Sequence, residues 1–143
     1  MKITMYITGW ILASLISLSG PKQLKVTVYD LKNDQGQVIV LLYNKEGSIP
    51  DKTFKKYFKK TIVSIQNGKA VAVFDGIPPG RYAVNIIHDE NANGRLDKGF
   101  MLPKEGFGLS NFKKVNLFHK PNFKKASFEV TRDTSVLVKT IYF

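Results

Sequence analysis

The stretch TIVSIQNGKAVAVF, Thr61 to Phe74, decides the fold class. Two alternating runs, Thr61 to Gln66 and Lys69 to Phe74, flank Asn67-Gly68. Asn-Gly between alternating runs is the strongest short-range hairpin signal, because both residues accept the positive φ that such a turn requires. Downstream, Asp75 to Gly80 is turn-forming, and Arg81 to His88 sets Tyr82, Val84 and Ile86 on one face. Upstream, Leu24 to Tyr29 alternates apolar and polar residues, the period of a half-buried strand. Asn33-Asp34-Gln35-Gly36 is a turn in which Gly36 is free to take positive φ. Gln37 to Tyr43 is a continuous apolar run, as in a central strand, and pairs with Leu24 to Tyr29 as a first hairpin. Phe54, Tyr57 and Phe58 recur at helical spacing, which predicts about two helical turns or an ordered loop over Thr53 to Lys60. Lys125 to Val130 and Ser135 to Tyr142 return to alternation. The pattern predicts an all-β, antiparallel β-sandwich of about seven strands, transthyretin-like or immunoglobulin-like. One long irregular region runs from Asp89 to about Pro121.

The 143 residues suit one domain, and 43% hydrophobic content gives it a core to bury. Lys2, the apolar run Ile3 to Leu18 and the small residues Ser19 and Gly20 have the order of a secretory leader. The run is shorter than the roughly 20 residues that span a bilayer. The division expected is residues 1–20 as signal peptide and 21–143 as a single sandwich domain, periplasmic or secreted. Membrane contact is then through the signal peptide alone. With no cysteine, the domain is held by packing and not by disulfides. Of 22 Lys and Arg, Lys2 leaves with the leader, so 21 stand against 11 acidic residues, a net +10. The excess gathers at Lys52, Lys55, Lys56, Lys59 and Lys60, and again at Lys113, Lys114, Lys120, Lys124 and Lys125. One reading is attraction to an anionic envelope component or an acidic carbohydrate; the other is a solvated lysine-rich face. Nucleic acid is disfavoured by the export signal and by having only Arg81, Arg95 and Arg132 as arginines.

HDENANGRLD, His88 to Asp97, carries the site chemistry. Side-chain oxygens stand at Asp89, Asn91, Asn93 and Asp97, positions 1, 3, 5 and 9 of a loop with Gly94 at the bend and the Arg95 carbonyl at position 7. Ca²⁺ takes six to eight oxygens, and alternate residues of a tightly curved loop supply them. Position 12, where a bidentate Glu would finish the shell, is Phe100, so any Ca²⁺ site is weak, with Glu105 or Glu90 as spare ligands. The competing reading is a polar turn whose Asn and Asp bond their own backbone. On either reading the loop is expected to lie outside the strands.

Catalytic groups are sparse. His88 and His119 are the only histidines, too few for zinc without cysteine. His88 and Asp89 point to opposite faces if they sit on a strand, and Ser110 lies in the irregular region. No cofactor chemistry and no enzyme activity are expected. The alternative is a carboxylate-dependent hydrolase or carbohydrate-active enzyme using Asp89, Glu90, Asp97 or Glu105. Phe100, Phe107, Phe112, Phe118 and Phe123, beside Lys113, Lys114 and Lys120, are either a binding face or loop anchors.

Phe74 to Val84, His88 to Asp97, Pro103 to Asn111 and Pro121 to Ala126 together resemble the bacterial family labelled domain of unknown function 2141. The element Pro78-Pro79-Gly80-Arg81-Tyr82-Ala83-Val84 is also similar to transthyretin-like and carboxypeptidase-regulatory-like sandwiches. The resemblance implies a small exported sandwich and no particular activity. The function expected is a non-enzymatic exported binding or structural module of the cell envelope, Ca²⁺-stabilised if the Asp89–Asp97 loop takes the ion.

Overall fold

A computed structural model describes residues 19–97, 103–115 and 120–143. The proposed leader, Phe100, Phe118 and His119 lie outside the described residues, apart from Ser19 and Gly20. Eight strands and one helical turn follow in order: β1 (Lys22–Tyr29), β2 (Gln37–Tyr43), β3 (Lys59–Val63), β4 (Ala70–Ile77), β5 (Gly80–Asp89), β6 (Gly106–Leu109), α1 (Phe123–Ala126), β7 (Phe128–Val130) and β8 (Thr134–Lys139). Two sheets form, β4-β1-β8 and β3-β2-β5-β6, with β7 beside the start of β5. The all-β sandwich is as the alternation predicts. Among the strand pairs, β1 with β8 runs parallel; the others are antiparallel.

Alternation determines which side chains are buried. Leu24, Val26 and Val28 of β1, Ala70, Ala72 and Phe74 of β4, Val38, Val40 and Leu42 of β2, and Val84 and Ile86 of β5 fill the space between the sheets. The continuous run of β2 has a second cause. Its other face, Ile39, Leu41 and Tyr43, is also buried, in a separate apolar cluster with Ala83, Ile87, Leu109 and Phe123. Central strands covered on both faces lose the polar half of the alternation. The cover on this outer face is the loop between β2 and β3 together with the segments around β6 and α1.

Several local expectations are corrected. The first hairpin does not form: β1 pairs with β4 and β8, and β2 pairs with β3 and β5. Asn67 and Gly68 do take positive φ, 53° and 69°, and Asp34 caps the turn through both backbone N–H groups at 2.9 and 2.7 Å. The flanking strands nonetheless part into different sheets, with the Gln66–Lys69 bridge between them. Of the two alternatives for Thr53 to Lys60, the ordered loop forms and the helical turns do not, with Lys59 and Lys60 already in β3. That loop folds around the buried Asp51 carboxylate, which accepts the Lys56 N–H at 2.8 Å and the Tyr43 hydroxyl at 3.2 Å. Within the region expected to be irregular, β6 is an additional strand on the edge of β5. The strand expected from Lys125 is preceded by α1, capped by the Asn122 side chain on the Lys125 N–H.

Candidate functional site

Asp89 is the last residue of β5, not a residue outside the strands, and it is wholly buried. One carboxylate oxygen accepts the Asn93 N–H at 3.0 Å. The other accepts the Gly94 N–H at 2.8 Å and the side chain of Gln37, its partner across β2, also at 2.8 Å. Ala92 and Gly94 take positive φ, 54° and 78°, so the chain curls back over this carboxylate. Asn91 and Asn93 turn their amide oxygens to the Asn93 and Arg95 N–H groups and their NH₂ groups to the Asp97 carboxylate, at 2.6 to 3.1 Å. The four oxygen-bearing residues expected from the sequence are thus gathered in one loop.

Glu105, which the sequence offered only as a spare Ca²⁺ ligand, closes that loop by hydrogen bonds. Its buried carboxylate accepts the Glu90 N–H at 3.1 Å and the Asp97 N–H at 2.9 Å, tying the start and end of the loop to the entry of β6. Glu90 itself turns outward to Lys32 Nζ at 2.7 Å. Burial pushes the Glu90 carboxyl upward, but the Lys32 and Asn33 hydrogen bonds and the Lys32 charge hold it below its ordinary value. An acid catalyst needs the opposite shift.

As a metal site the loop is partial. Among the described residues no three of His, Asp and Glu come together around one point. Asp89 and Asp97 supply carboxylates; Asn91 and Asn93 would offer oxygens to an ion only after half a turn of each amide. The position of Phe100 lies outside the described residues.

His88 and Ser110 are structural. His88 is fully buried, with Nδ1 2.6 Å from the Tyr142 hydroxyl and Nε2 2.8 Å from the Gln35 carbonyl. A carbonyl only accepts, so Nε2 carries a proton and donates to Gln35. Ser110 Oγ donates to the Ala126 carbonyl at 2.7 Å and accepts the Val84 N–H at 2.9 Å. Asn111 adds amide bonds to the carbonyls of Lys125, Ala126 and Ser127. The Leu109-Ser110-Asn111 motif therefore fastens α1 and β7 to β5. Phe123 is buried, Phe112 packs on the outer cluster and Phe107 stacks on Phe143 with ring centroids 5.6 Å apart. Phe112 and Phe123 thus anchor the segments that cover the outer face, while Phe107 of β6 also lines a cavity there.

Two cavities open on the outer face of the five-stranded sheet. One, of about 190 Å³, is lined mainly by apolar groups such as Ile49, Phe54, Ile87 and Leu109, with Asp51, Lys52 and Asn85 of β5 as its polar members. The other, of about 350 Å³, is lined by Lys52, Lys60 and Arg95 around Phe54 and Leu96, with no acidic residue among its described lining. Those three cations come from the β2–β3 loop, β3 and the Asp89–Asp97 loop. The sequence singled out the first two only as members of a lysine run and Arg95 only for its carbonyl.

The model of an uncharacterized protein family conserved in bacteria, DUF2141, matches residues 26–137. The chain belongs to the DUF2141 family. The match runs from β1 into β8 and takes in both the Asp89–Asp97 loop and the Ser110-Asn111 clasp of this DUF2141 domain. No curated protein and no solved structure matches the chain.

Proposed function

We propose that this DUF2141 protein is a non-enzymatic, exported module of the cell envelope that binds an anionic component through the outer face of its five-stranded sheet. The observation that carries the reading is the convergence of Lys52, Lys60 and Arg95 on one cavity without an acidic neighbour in its described lining. Among the described residues none of the three takes part in an ion pair. Concave surfaces of one charge sign concentrate the field and raise the local concentration of counter-charged ligands. The net charge of +10 without the leader adds attraction at longer range. Co-sedimentation with phosphatidylglycerol vesicles, compared with phosphatidylcholine vesicles at low and high salt, tests it. Salt-sensitive binding to the anionic vesicles alone is the supporting result, and equal partition to both kinds contradicts it.

A Ca²⁺-stabilised form of the Asp89–Asp97 loop is favoured by a separate observation. Asp89 and Glu105 are buried carboxylates with no ion pair among the described residues, in a chain with twice as many basic as acidic residues. Buried carboxylates are ordinarily compensated by a cation or by several hydrogen bonds. Here hydrogen bonds do most of this, which leaves a weak, millimolar-range role for the ion. Thermal or urea stability measured against Ca²⁺ concentration tests it.

A further inference from the structure

The two outer-face cavities share a wall: Lys52, Phe54, Ile87 and Leu96 line both. A β5 residue explains how the sheet shapes the apolar one. Odd-numbered residues of β5 face outward, and Ala83 and Ile87 join the outer apolar cluster. Asn85 stands between them, beside Leu41 of β2 and Leu109 of β6 in the strand register. It is only partly buried and lines the cavity. Its side chain bonds the buried Tyr43 hydroxyl, which in turn donates to Asp51, so the polar groups at this point of the floor partner one another and leave the apolar side chains to face the cavity. At roughly 30 Å³ for each water-sized group, the cavity of about 190 Å³ has room for a short chain segment.

We propose that the two cavities form a single site for an amphiphile with one anionic head, an alkyl phosphate or alkyl carboxylate. The head sits among Lys52, Lys60 and Arg95, and the chain passes the shared wall of Phe54 and Leu96 onto the floor of Ile87 and Leu109. Each half is weak alone. Exposed cations bind small anions loosely in water because the pair is screened. A short alkyl group gains only in proportion to the methylenes it buries, and an alcohol of the same length gains this without the ion pair. Joining the two in one molecule makes the second contact intramolecular. The inference rests on the anionic-component reading but is narrower, since it requires one molecule taken in by its tail and not adhesion to a charged surface.

Calorimetric titration with octyl phosphate, kept below its micelle concentration, tests it beside inorganic phosphate and octanol. Octyl phosphate is expected to bind at least tenfold more tightly than either. The variant K60Q/R95Q should lose at least tenfold for octyl phosphate while leaving octanol unchanged, and L96Q should weaken octyl phosphate and octanol together. Lys60 and Arg95 are exposed, whereas Leu96 is half-buried against the outer cluster, so circular dichroism and urea unfolding check that each variant is folded before its titration is read. Inorganic phosphate binding as tightly as octyl phosphate overturns the proposal, and so does an octyl phosphate affinity untouched by K60Q/R95Q. If octyl phosphate fails while phosphatidylglycerol vesicles still bind, the amphiphile site is wrong and the broader reading stands. If neither binds, both fall.

Discussion

Replacing Asp89 with alanine removes the acceptor for three donors at once: the Asn93 N–H, the Gly94 N–H and the Gln37 side chain. Hydrogen bonds to a charged group are each worth about 1.5–3 kcal/mol. Asn93 and Gly94 lie at the exposed rim, so their N–H groups regain water when the carboxylate goes, and the return of a buried charge to nothing offsets part of the loss. The net cost of Asp89→Ala is then about 2–4 kcal/mol, a large share of the roughly 5–15 kcal/mol that holds a domain folded. Asp89→Asn keeps one carbonyl acceptor but turns an NH₂ toward donors, and should fall between alanine and wild type. Urea unfolding at constant slope reads these differences from the midpoint, and thermal midpoints should drop by about 4 °C per kcal/mol. An Asp89→Ala protein within about 0.5 kcal/mol of wild type would refute the role assigned to this carboxylate. Calcium supplies a second arm. At tenfold over its dissociation constant a ligand of the folded state adds about 1.4 kcal/mol, so millimolar Ca²⁺ should raise the wild-type midpoint, Mg²⁺ less, and Asp89→Ala not at all. Coincident wild-type and Asp89→Ala responses at every Ca²⁺ concentration would make the loop a hydrogen-bonded turn only.

Ser110→Ala leaves the Val84 N–H and the Ala126 carbonyl without their shared partner, and should cost about 1–3 kcal/mol by urea unfolding; hydrogen exchange should quicken first in α1 and β7. Gly36 has φ of +72°, and a Cβ there would collide with the backbone of Asp89 and Glu90. Gly36→Ala should therefore destabilise by more than about 2 kcal/mol, whereas Gly47→Ala, also at positive φ but in open space, should cost clearly less. Burial raises the Asp51 carboxyl, but the N–H groups of Lys56 and Lys55 and the Tyr43 hydroxyl outweigh it, so Asp51, like Glu90, sits below the ordinary carboxylate value. Depressed folded values mean stability that is present above the unfolded carboxylate range near pH 4 and lost as pH falls through the folded values. The urea midpoint should fall below about pH 4, and less steeply in Asp51→Asn; an acid limb identical in the variant would count against this assignment.

The strands were legible because each sheet has a buried face, and period-two alternation records it directly, as at Leu24, Val26 and Val28. Their partners were not, since alternation records burial and not neighbours; β1 and β2 look like a hairpin and lie in different sheets. β6 was hidden by its own glycines. A Cβ at Gly106 would meet Tyr142 and Thr140, and one at Gly108 the Lys139 backbone and the Ile86 and Val138 side chains. Close packing thus removed the apolar residues that would have marked the strand. Around Thr53 to Lys60 the aromatic spacing of three and four mimicked a helix, but Phe54 has φ of 52° and the loop is organised by Asp51, which carries no periodic signal. In the Asp89–Asp97 segment the spacing marked polar side chains that bond one another and the loop backbone, while the closing part played by Glu105 depends on a fold-back across the start of β6. Which of the many lysines share a cavity with Arg95 is a property of the outer sheet face and has no one-dimensional trace.

Two charge reversals of equal size at different places test the outer-face site most directly. K52E/K60E/R95E and K113E/K114E/K124E each change the net charge by −6 from the same starting value, so long-range attraction weakens equally in both. Binding to phosphatidylglycerol vesicles at a single salt concentration separates them. The first variant should lose binding by at least tenfold relative to the second. Equal losses would show that net charge alone holds the protein to anionic surfaces, and that the cavity lined by Lys52, Lys60 and Arg95 has no part in it.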